Sequence, residues 1–591
     1  MLLRFRSRDG MFRVQIEAND DAALLVQMIQ EQLKFVPIGA VTISTHPSGN
    51  PGQLLTTLKG RKISTMGLKY ACNLTRFRVD VRHGDLFFLI YSEVQGEEHH
   101  PEFDHTLPLP NVQLLKSHIS IEQDAVDDFL EKQDGKIPRG RDHRMCKHNE
   151  KGMCDHCIPF EPFDQKYLDD QKIKHMSFHA YLKMLNTHTN KYASGTSFIP
   201  PLSEMDFKVK KNCPSGHPPW PEGICSKCQP GAITMQSQTF RMVDHVEISA
   251  PSIIDRFIDT WRKSAHQRFG FLYGRYEPYD KVPLGIKAVV ETIYEPPQRN
   301  ETDGLQIHLP WENENAIDSI AQSCGLTKVG MIWSDLTDAG DSKVVCKRHI
   351  DSYFLSSLEA VFSAKMQNSH KNVSRMSETG YFGSKFVSVV ISGNLEGGIE
   401  MSAYQISNTG MAMVEADIIE PSTDPSQLLV CPEEDDRYIP EVFYRRRNKY
   451  NVQVQENARP AFPVDYILAS LTHGFPSEPK AMFVTDFPIE NRETFGESQE
   501  LSHVAKTLGV RSGAITEEII KRISDFHFLV FIKGMGILEK SEEEALGRVV
   551  QSKKIEDYEL LRHSTGWENL VLVIRESSMF STQSLVLNYP A

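Results

Sequence analysis

The chain opens on an alternation of apolar and polar positions. In MLLRFRSRDGMFRVQIE every second residue is apolar on both sides of Asp9-Gly10, which predicts two antiparallel strands joined by a tight turn. The period then changes. In NDDAALLVQMIQEQL, Leu25, Met28, Ile29 and Leu33 fall at helical spacing behind Asn/Asp residues able to cap a first turn. DLFFLIYS reads as a later strand that closes this unit, over residues 1–95. VQGEEHHPEFDHTLPLP, residues 94–110, has no periodicity and is acidic and Pro-containing. It reads as a linker, 96–110.

Residues 111–235 carry two clusters of cysteine and too few apolar runs for an independent core, so metal is expected to supply stability there. From about 240 the texture changes to long apolar-rich segments. PSIIDRFIDTWRKSA is helical by Ile254, Phe257, Ile258 and Trp261, and RFGFLYGRY, LGIKAVVETIYE, KVGMIWSD and FVSVVISG read as strands. These fall in a domain over 236–440. A last domain, 441–591, is mixed and mainly helical: ITEEIIKRISDF and SEEEALGRVVQSK are amphipathic, the second with Ser541 as its expected N-cap. FHFLVFI and NLVLVIRE are apolar throughout, and periodicity leaves strand and buried helix open for both.

Composition adds limits. The 591 residues suggest about four domains. A 40% hydrophobic and 24% charged chain has material for real cores, and a formal charge of −13 disfavours wholesale binding to a phosphate backbone. No apolar run approaches the roughly 20 residues of a membrane helix, and MLLRFRSRDG is charged too early for a secretory signal. The expectation is an intracellular, soluble, multidomain α+β protein. Of ten cysteines, Cys72, Cys324, Cys346 and Cys431 are scattered like free thiols, whereas six fall at 146–157 and 213–228.

Those six share one grammar. CKHNEKGMCDHCIP and CPSGHPPWPEGICSKCQP each run Cys, His, then Gly-apolar-Cys-x-x-Cys-x-Pro. The candidate ligands are Cys146, His148, Cys154 and Cys157, and Cys213, His217, Cys225 and Cys228. Three thiolates and one imidazole suit a tetrahedral zinc ion with no open position, hence two structural Zn2+ ions. His143 and His156 also lie near the first cluster; His148 is preferred because the second cluster has its histidine at the matching place. The flank KIPRGRDHRMCKHNEKG is locally basic, which fits an acidic protein surface better than nucleic acid in so acidic a chain.

QRFGFLYG, KVGMIWSDL and YFLSSLEAVF resemble the MPN domain, the fold of JAMM metalloproteases. An active member carries Glu-x-x-Gly-x-x-x-Gly, His-Ser-His-Pro and Ser-x-x-Asp, in which two histidines and the aspartate hold zinc and the glutamate is general base. The corresponding positions here are Gln267, Trp333, Asp335 and Glu359, with Leu336 for the proline. An amide accepts no proton at neutral pH, and an indole N–H has no lone pair for a metal. Two carboxylates alone favour harder ions than zinc. Charged residues at 338–351 lie where a metal site would be closed. The resemblance thus implies an inactive domain and no catalytic residue.

The strand–turn–strand–helix order of 1–95 resembles the ubiquitin β-grasp (UBX-like). With the two fingers, the MPN-like domain, the C-terminal domain and PVDYILASLTHGFP, the whole chain resembles the nuclear protein localization protein four family, of fungal type. The resemblance implies a non-catalytic cofactor of the hexameric AAA ATPase called valosin-containing protein in animals. It acts with ubiquitin fusion degradation protein one, binding polyubiquitin chains and delivering substrates for unfolding and proteasomal or endoplasmic-reticulum-associated degradation. It also implies residence in cytoplasm and nucleus, peripheral at the endoplasmic reticulum and nuclear envelope. Animal members add a C-terminal zinc finger, and this chain has no cysteine after Cys431. Two other readings compete: a JAMM deubiquitinase with atypical ligands, and a nucleic-acid-binding zinc protein.

Overall fold

The computed structural model describes residues 2–7, 10–16, 20–32, 41–44, 52–54, 68–69, 78–79 and 86–90, and then 121–586 apart from 142–143, 150–151, 191–198, 212, 214, 435–436, 485 and 511–514. The chain divides into two compact units, Met1–Leu109 and Pro110–Ala591. The expected linker lies outside the described residues.

In the first unit, β1 (Leu2–Ser7) and β2 (Gly10–Gln15) pair antiparallel with Ser7 opposite Gly10. Gly10 already belongs to β2, and residues 8–9 lie outside the described residues. Helix α1 (Ala22–Gln32) begins with the Asp21 carboxylate accepting from Ala23 N–H at 2.7 Å. Strands β3 (Thr42–Ser44), β4 (Gly52–Leu54) and β5 (Leu86–Ile90) complete a sheet of order β2-β1-β5-β3-β4, with β1 parallel to β5. Leu25, Val26 and Ile29 of α1 pack on Leu3, Phe5, Val14, Ile43 and Leu89. Leu33 lies outside the described residues.

The second unit begins with α2 (Ala125–Glu131), α3 (Phe178–Thr189) and β6 (Ile233–Met235). There follow β7 (His245–Ile248), α4 (Pro251–Ser264), β8 (Phe269–Tyr279), β9 (Gly285–Tyr294), α5 (Glu314–Ser323), β10 (Thr327–Asp335) and α6 (Ser357–Ser369). Then come β11 (Val387–Gly393), β12 (Ile399–Ile406), α7 (Asn408–Glu415), β13 (Val442–Arg447), β14 (Gln453–Asn457) and β15 (Leu468–Gly474). Seven strands close a barrel in the order β7-β9-β8-β10-β11-β12-β15. Two motif glycines let its strands approach. A Cβ at Gly274 would run into the Val289 carbonyl, and one at Gly330 into the Val387 carbonyl.

Apolar residues lie on both faces of the barrel strands. Along β8, Phe269, Phe271 and Tyr273 join one core while Leu272 joins another; along β10, Met331 and Trp333 divide from Val329 and Ile332 in the same way. The second core takes in α4 through Phe257 and Ile258. The first is shared with the C-terminal helices α8 (Leu501–Thr507), α9 (Thr516–Ile523), α10 (Phe526–Met535), α11 (Lys540–Ser552), α12 (Ile555–Arg562) and α13 (Thr565–Val586).

The apolar runs left open by periodicity are helices. FHFLVFI lies in α10, fixed at its start by the Asp525 carboxylate accepting from His527 and Phe528 N–H and stopped by Gly536 at φ 64°. NLVLVIRE lies in α13. The N-cap of α11 is Glu539, not Ser541: the Glu542 side chain reaches back to Glu539 N–H at 2.9 Å in a capping box. Sheets also cross two expected boundaries. β6 runs parallel to β13, joining 233–235 to 442–444, and the barrel takes its seventh strand, β15, from beyond residue 440.

Buried ion pairs fasten the outlying segments to the barrel. Glu295, at the end of β9, receives Arg268 Nε at 2.5 Å and Arg492 Nη2 at 2.5 Å, with all three side chains at least 98% buried. Lys385 reaches Asp124 and, at 2.6 Å, Asp127 of α2, which also receives His179 Nε2 at 2.8 Å.

Candidate metal centres and a buried ion cluster

Both cysteine clusters are built on the same local turn. Cys154 carbonyl accepts from Cys157 N–H at 3.0 Å and Ile158 N–H at 2.9 Å; Cys225 carbonyl accepts from Cys228 N–H at 3.1 Å and Gln229 N–H at 3.0 Å. The turn aims both thiols of each Cys-x-x-Cys to one side. The last thiol also accepts from the first cysteine's N–H, at 3.3 Å for Cys157 and 3.1 Å for Cys228.

The ligand atoms of Cys146, His148, Cys154 and Cys157 lie within 4.8 Å of one another, as do those of Cys213, His217, Cys225 and Cys228. Sulfur separations are 3.7 and 3.8 Å in the first cluster and 3.4 and 3.8 Å in the second. His148 Nε2 stands 3.2 Å from Cys157 Sγ, and His217 Nε2 3.4 Å from Cys228 Sγ. Ligands at about 2.3 Å (sulfur) and about 2.0 Å (nitrogen) around a tetrahedral zinc lie roughly 3.5–3.8 Å apart, so the donor sets fit the ion. Each histidine donates Nδ1–H to the next carbonyl, Asn149 at 3.0 Å and Pro218 at 2.6 Å, which leaves the Nε2 lone pair facing the thiols. His156 is exposed outside the cluster, and His143 lies outside the described residues.

The first thiol of each Cys-x-x-Cys is primed to ionise. The backbone N–H of His156 holds the Cys154 thiol down at about 6, and that of Lys227 holds Cys225 at about 5. The glycine before each second cysteine is closely packed: a Cβ at Gly223 would lie 2.8 Å from the Pro218 carbonyl, too near for the backbone to stay in place, and one at Gly152 would lie 3.2 Å from His148 Cβ, a tight contact.

Of the four positions singled out in the sequence, the structure brings Trp333, Asp335 and Glu359 together and leaves Gln267 beside them. Trp333 and Asp335 end β10, and Glu359 opens α6 in a capping box with Ser356. Trp333 Nε1 donates to Glu359 Oε1 at 2.8 Å. Between the two carboxylates sits Arg348. Its Nε and Nη2 donate to Asp335 Oδ2 at 3.0 and 2.8 Å, while Nη2 and Nη1 donate to Glu359 Oε1 and Oε2 at 2.6 and 2.8 Å. Lys347 Nζ takes Asp335 Oδ1 at 2.8 Å. Burial works to raise the Asp335 carboxyl, but the Arg348 and Lys347 charges hold it below its ordinary value. Burial likewise works against the Arg348 charge, and Glu359 and Asp335 raise it above its ordinary value.

Gln267 lies in the adjoining wall as a buried cross-link. Its Nε2 donates to Thr302 and Leu336 carbonyls at 2.8 and 2.7 Å, and its Oε1 accepts from Ser334 Oγ and Leu336 N–H, both at 3.0 Å. Sequence reasoning noted the charges of 338–351 but did not single out Arg348. The signal was there: two carboxylates drawn together in a core demand a cation, and CKRHI supplies two side chains able to provide one.

A model of the NPL4 family matches residues 268–575, which include the Arg348 cluster, and a model of that family's candidate zinc binding region matches residues 121–265, which include both cysteine clusters. Nuclear protein localization protein 4 of Saccharomyces cerevisiae is 44% identical over 597 residues, covering 98% of this chain and 100% of its own length. The protein of the same name from Debaryomyces hansenii is 43% identical over 589 residues, covering 96% and 100%, and that from Schizosaccharomyces pombe is 40% identical over 594 residues, covering 98% and 100%. With two Cys/His clusters suited to metal and relatives matched along nearly all their length, the chain belongs to the NPL4 family.

Proposed function

We propose that the chain is a non-catalytic adaptor. With ubiquitin fusion degradation protein one, it binds polyubiquitinated substrates and docks them on a hexameric AAA ATPase of the valosin-containing protein type, for unfolding and for proteasomal or endoplasmic-reticulum-associated degradation. In this reading residues 1–95 are a ubiquitin-like domain that binds the ATPase, and α1 packed across the β2-β1-β5-β3-β4 sheet supports it. Each cysteine cluster holds one structural zinc ion and steadies a finger on the ATPase ring. The barrel is an MPN-type domain without its chemistry, and with the C-terminal helices it engages ubiquitin and the partner protein.

The observation that carries the non-catalytic reading is Arg348 seated between Asp335 and Glu359, beside an indole that donates and an amide whose hydrogen bonds are all made. Such an arrangement has no base for water and no lone pair reserved for a metal. The relatives' name, nuclear protein localization protein 4, supports a nuclear role. Among the described residues no helix is long and apolar enough to cross a membrane, which fits peripheral attachment to the endoplasmic reticulum and nuclear envelope through partners, alongside cytoplasmic and nuclear pools.

Native mass spectrometry of the chain purified without chelator tests the metal content. Two zinc ions are expected, falling to one in the Cys154→Ser, Cys157→Ser double variant. Incubation with polyubiquitin tests the rest: chains should be retained intact, and cleavage that tracks a third ion would overturn the adaptor reading in favour of a metalloprotease.

A further inference from the structure

Gln267, Trp333, Asp335 and Glu359 do not make a metal-binding set, and the reason goes beyond the residues that are missing. We propose that Arg348 is a tethered cation that excludes metal from this position, an inference that rests on reading the barrel as an MPN-type domain.

The guanidinium spans both carboxylates at 2.6–3.0 Å and keeps only 5% of its side-chain surface exposed. A carboxylate oxygen offers about two acceptor directions. Asp335 Oδ2 uses both on Arg348. Glu359 Oε1 serves Trp333 Nε1 and Arg348 Nη2, and Oε2 serves Arg348 Nη1 and Ser356 N–H at 2.8 Å. Asp335 Oδ1 takes Lys347 Nζ, so a dication bridging the two carboxylates must displace the guanidinium from three filled oxygens and meets like charges from Arg348 and Lys347.

Arg348 is also held by its own loop. Its Nη1 donates to the Phe354 carbonyl at 3.0 Å, and its guanidinium carbon stands 5.5 Å from the centre of the Tyr353 ring. The segment from Leu336 to Ser356 therefore carries the cation in and stays strapped across the end of β10. Restoring ligands alone does not restore a metal site while this side chain remains.

The experiment rebuilds the ligands. Trp333→His, Asp335→His and Glu359→Asp are made together in the full chain, once with Arg348 kept, once with Arg348→Lys and once with Arg348→Gln. Each protein is equilibrated with zinc, freed of excess and weighed by native mass spectrometry, with thermal melts to confirm folding. The Arg348 and Arg348→Lys proteins should hold the same number of ions as the parent, and the Arg348→Gln protein one more. A gain with Arg348 or its lysine replacement present overturns the exclusion and leaves the MPN reading standing. No gain in any of the three overturns both, because the position is then no metal position. Should the triple change not fold, the same three backgrounds are compared with Trp333→His and Asp335→His alone, Glu359 serving as the carboxylate ligand and the outcomes read in the same way.

Discussion

Trp333 and Glu359 are joined by a hydrogen bond of 2.8 Å, indole Nε1 to carboxylate Oε1, and Trp333 keeps 7% of its surface exposed. The tryptophan belongs to the core shared by the barrel and the C-terminal helices, so its ring packs while its N–H holds the start of α6. In the proposed MPN-type reading, a position that would hold a metal instead donates a hydrogen bond to a carboxylate.

Gln267 is a buried cross-link whose four hydrogen bonds are all made. Gln267→Glu replaces two donors with an acceptor aimed at the Thr302 and Leu336 carbonyls. The expected loss at neutral pH is about 2–4 kcal/mol. Burial raises the new carboxyl's pKa, so the loss shrinks as pH falls. Urea unfolding of parent and variant at pH 7.5 and pH 5 checks both the size and the trend; an equal loss at the two values would show that the carboxylate is not the cause.

Glu295 is fully buried between Arg268 and Arg492. Glu295→Gln leaves two buried guanidiniums without an anion and should cost about 3–5 kcal/mol in chemical denaturation. Burial pushes this carboxyl up, but the two arginines outweigh it and hold it below its ordinary 4.5. Its stabilisation is therefore complete above pH 4.5 and lost as pH falls through the depressed value. The variant should lack that part of the parent's acid sensitivity.

His175 gives the chain a milder acid sensitivity at higher pH. It is 2% exposed, donates Nδ1–H to the Gln238 carbonyl at 2.7 Å and leaves Nε2 without a partner. Burial holds it down at about 4. Between pH 6.5 and about 4 the unfolded chain binds a proton that the folded chain does not, so stability falls as pH drops. In His175→Gln the slope over that window should flatten, by about 3 kcal/mol at most. Thermal melts across the window read it directly.

The two cysteine clusters should respond unequally to the same change. In Gly223→Ala the new Cβ meets a backbone carbonyl at 2.8 Å and His217 Nδ1 at 2.9 Å, whereas in Gly152→Ala it meets only the His148 side chain, at 3.2 Å. Competition with a chromophoric chelator should show the second cluster losing zinc affinity by about 10-fold or more, the scale of disturbing a ligand's supporting contacts. The first cluster should change less, and a larger effect at Gly152 would contradict the packing.

Much of this was legible in advance because it is local. The β1–β2 hairpin, α1, α4 and strands β8 to β11 follow from period and turn residues, and the cluster spacing singles out the eight ligand candidates. What escaped depends on distant partners. FHFLVFI is the local exception: Asp525 immediately before it and Gly536 four residues after it bracket a helix, and these caps lie outside the apolar run that periodicity reads. β6 and β13 lie together although some two hundred residues separate them, and no pattern within either announces the other. Arg348 was hidden for the same reason: it is one of several charged residues in a loop until the fold sets Asp335 and Glu359 on either side of it.

The late arrival of β15 has a consequence for how the molecule comes into being. His245 and Thr472 pair across the seam of the barrel, 227 positions apart. On a ribosome, strands β7 to β12 emerge long before the strand that joins β7 to β12. Throughout that interval two strand edges stay open to any neighbouring chain. The nascent protein should therefore need chaperones at that stage, and a message cut short before codon 468 should yield a polypeptide that goes to aggregates instead of to a smaller working domain.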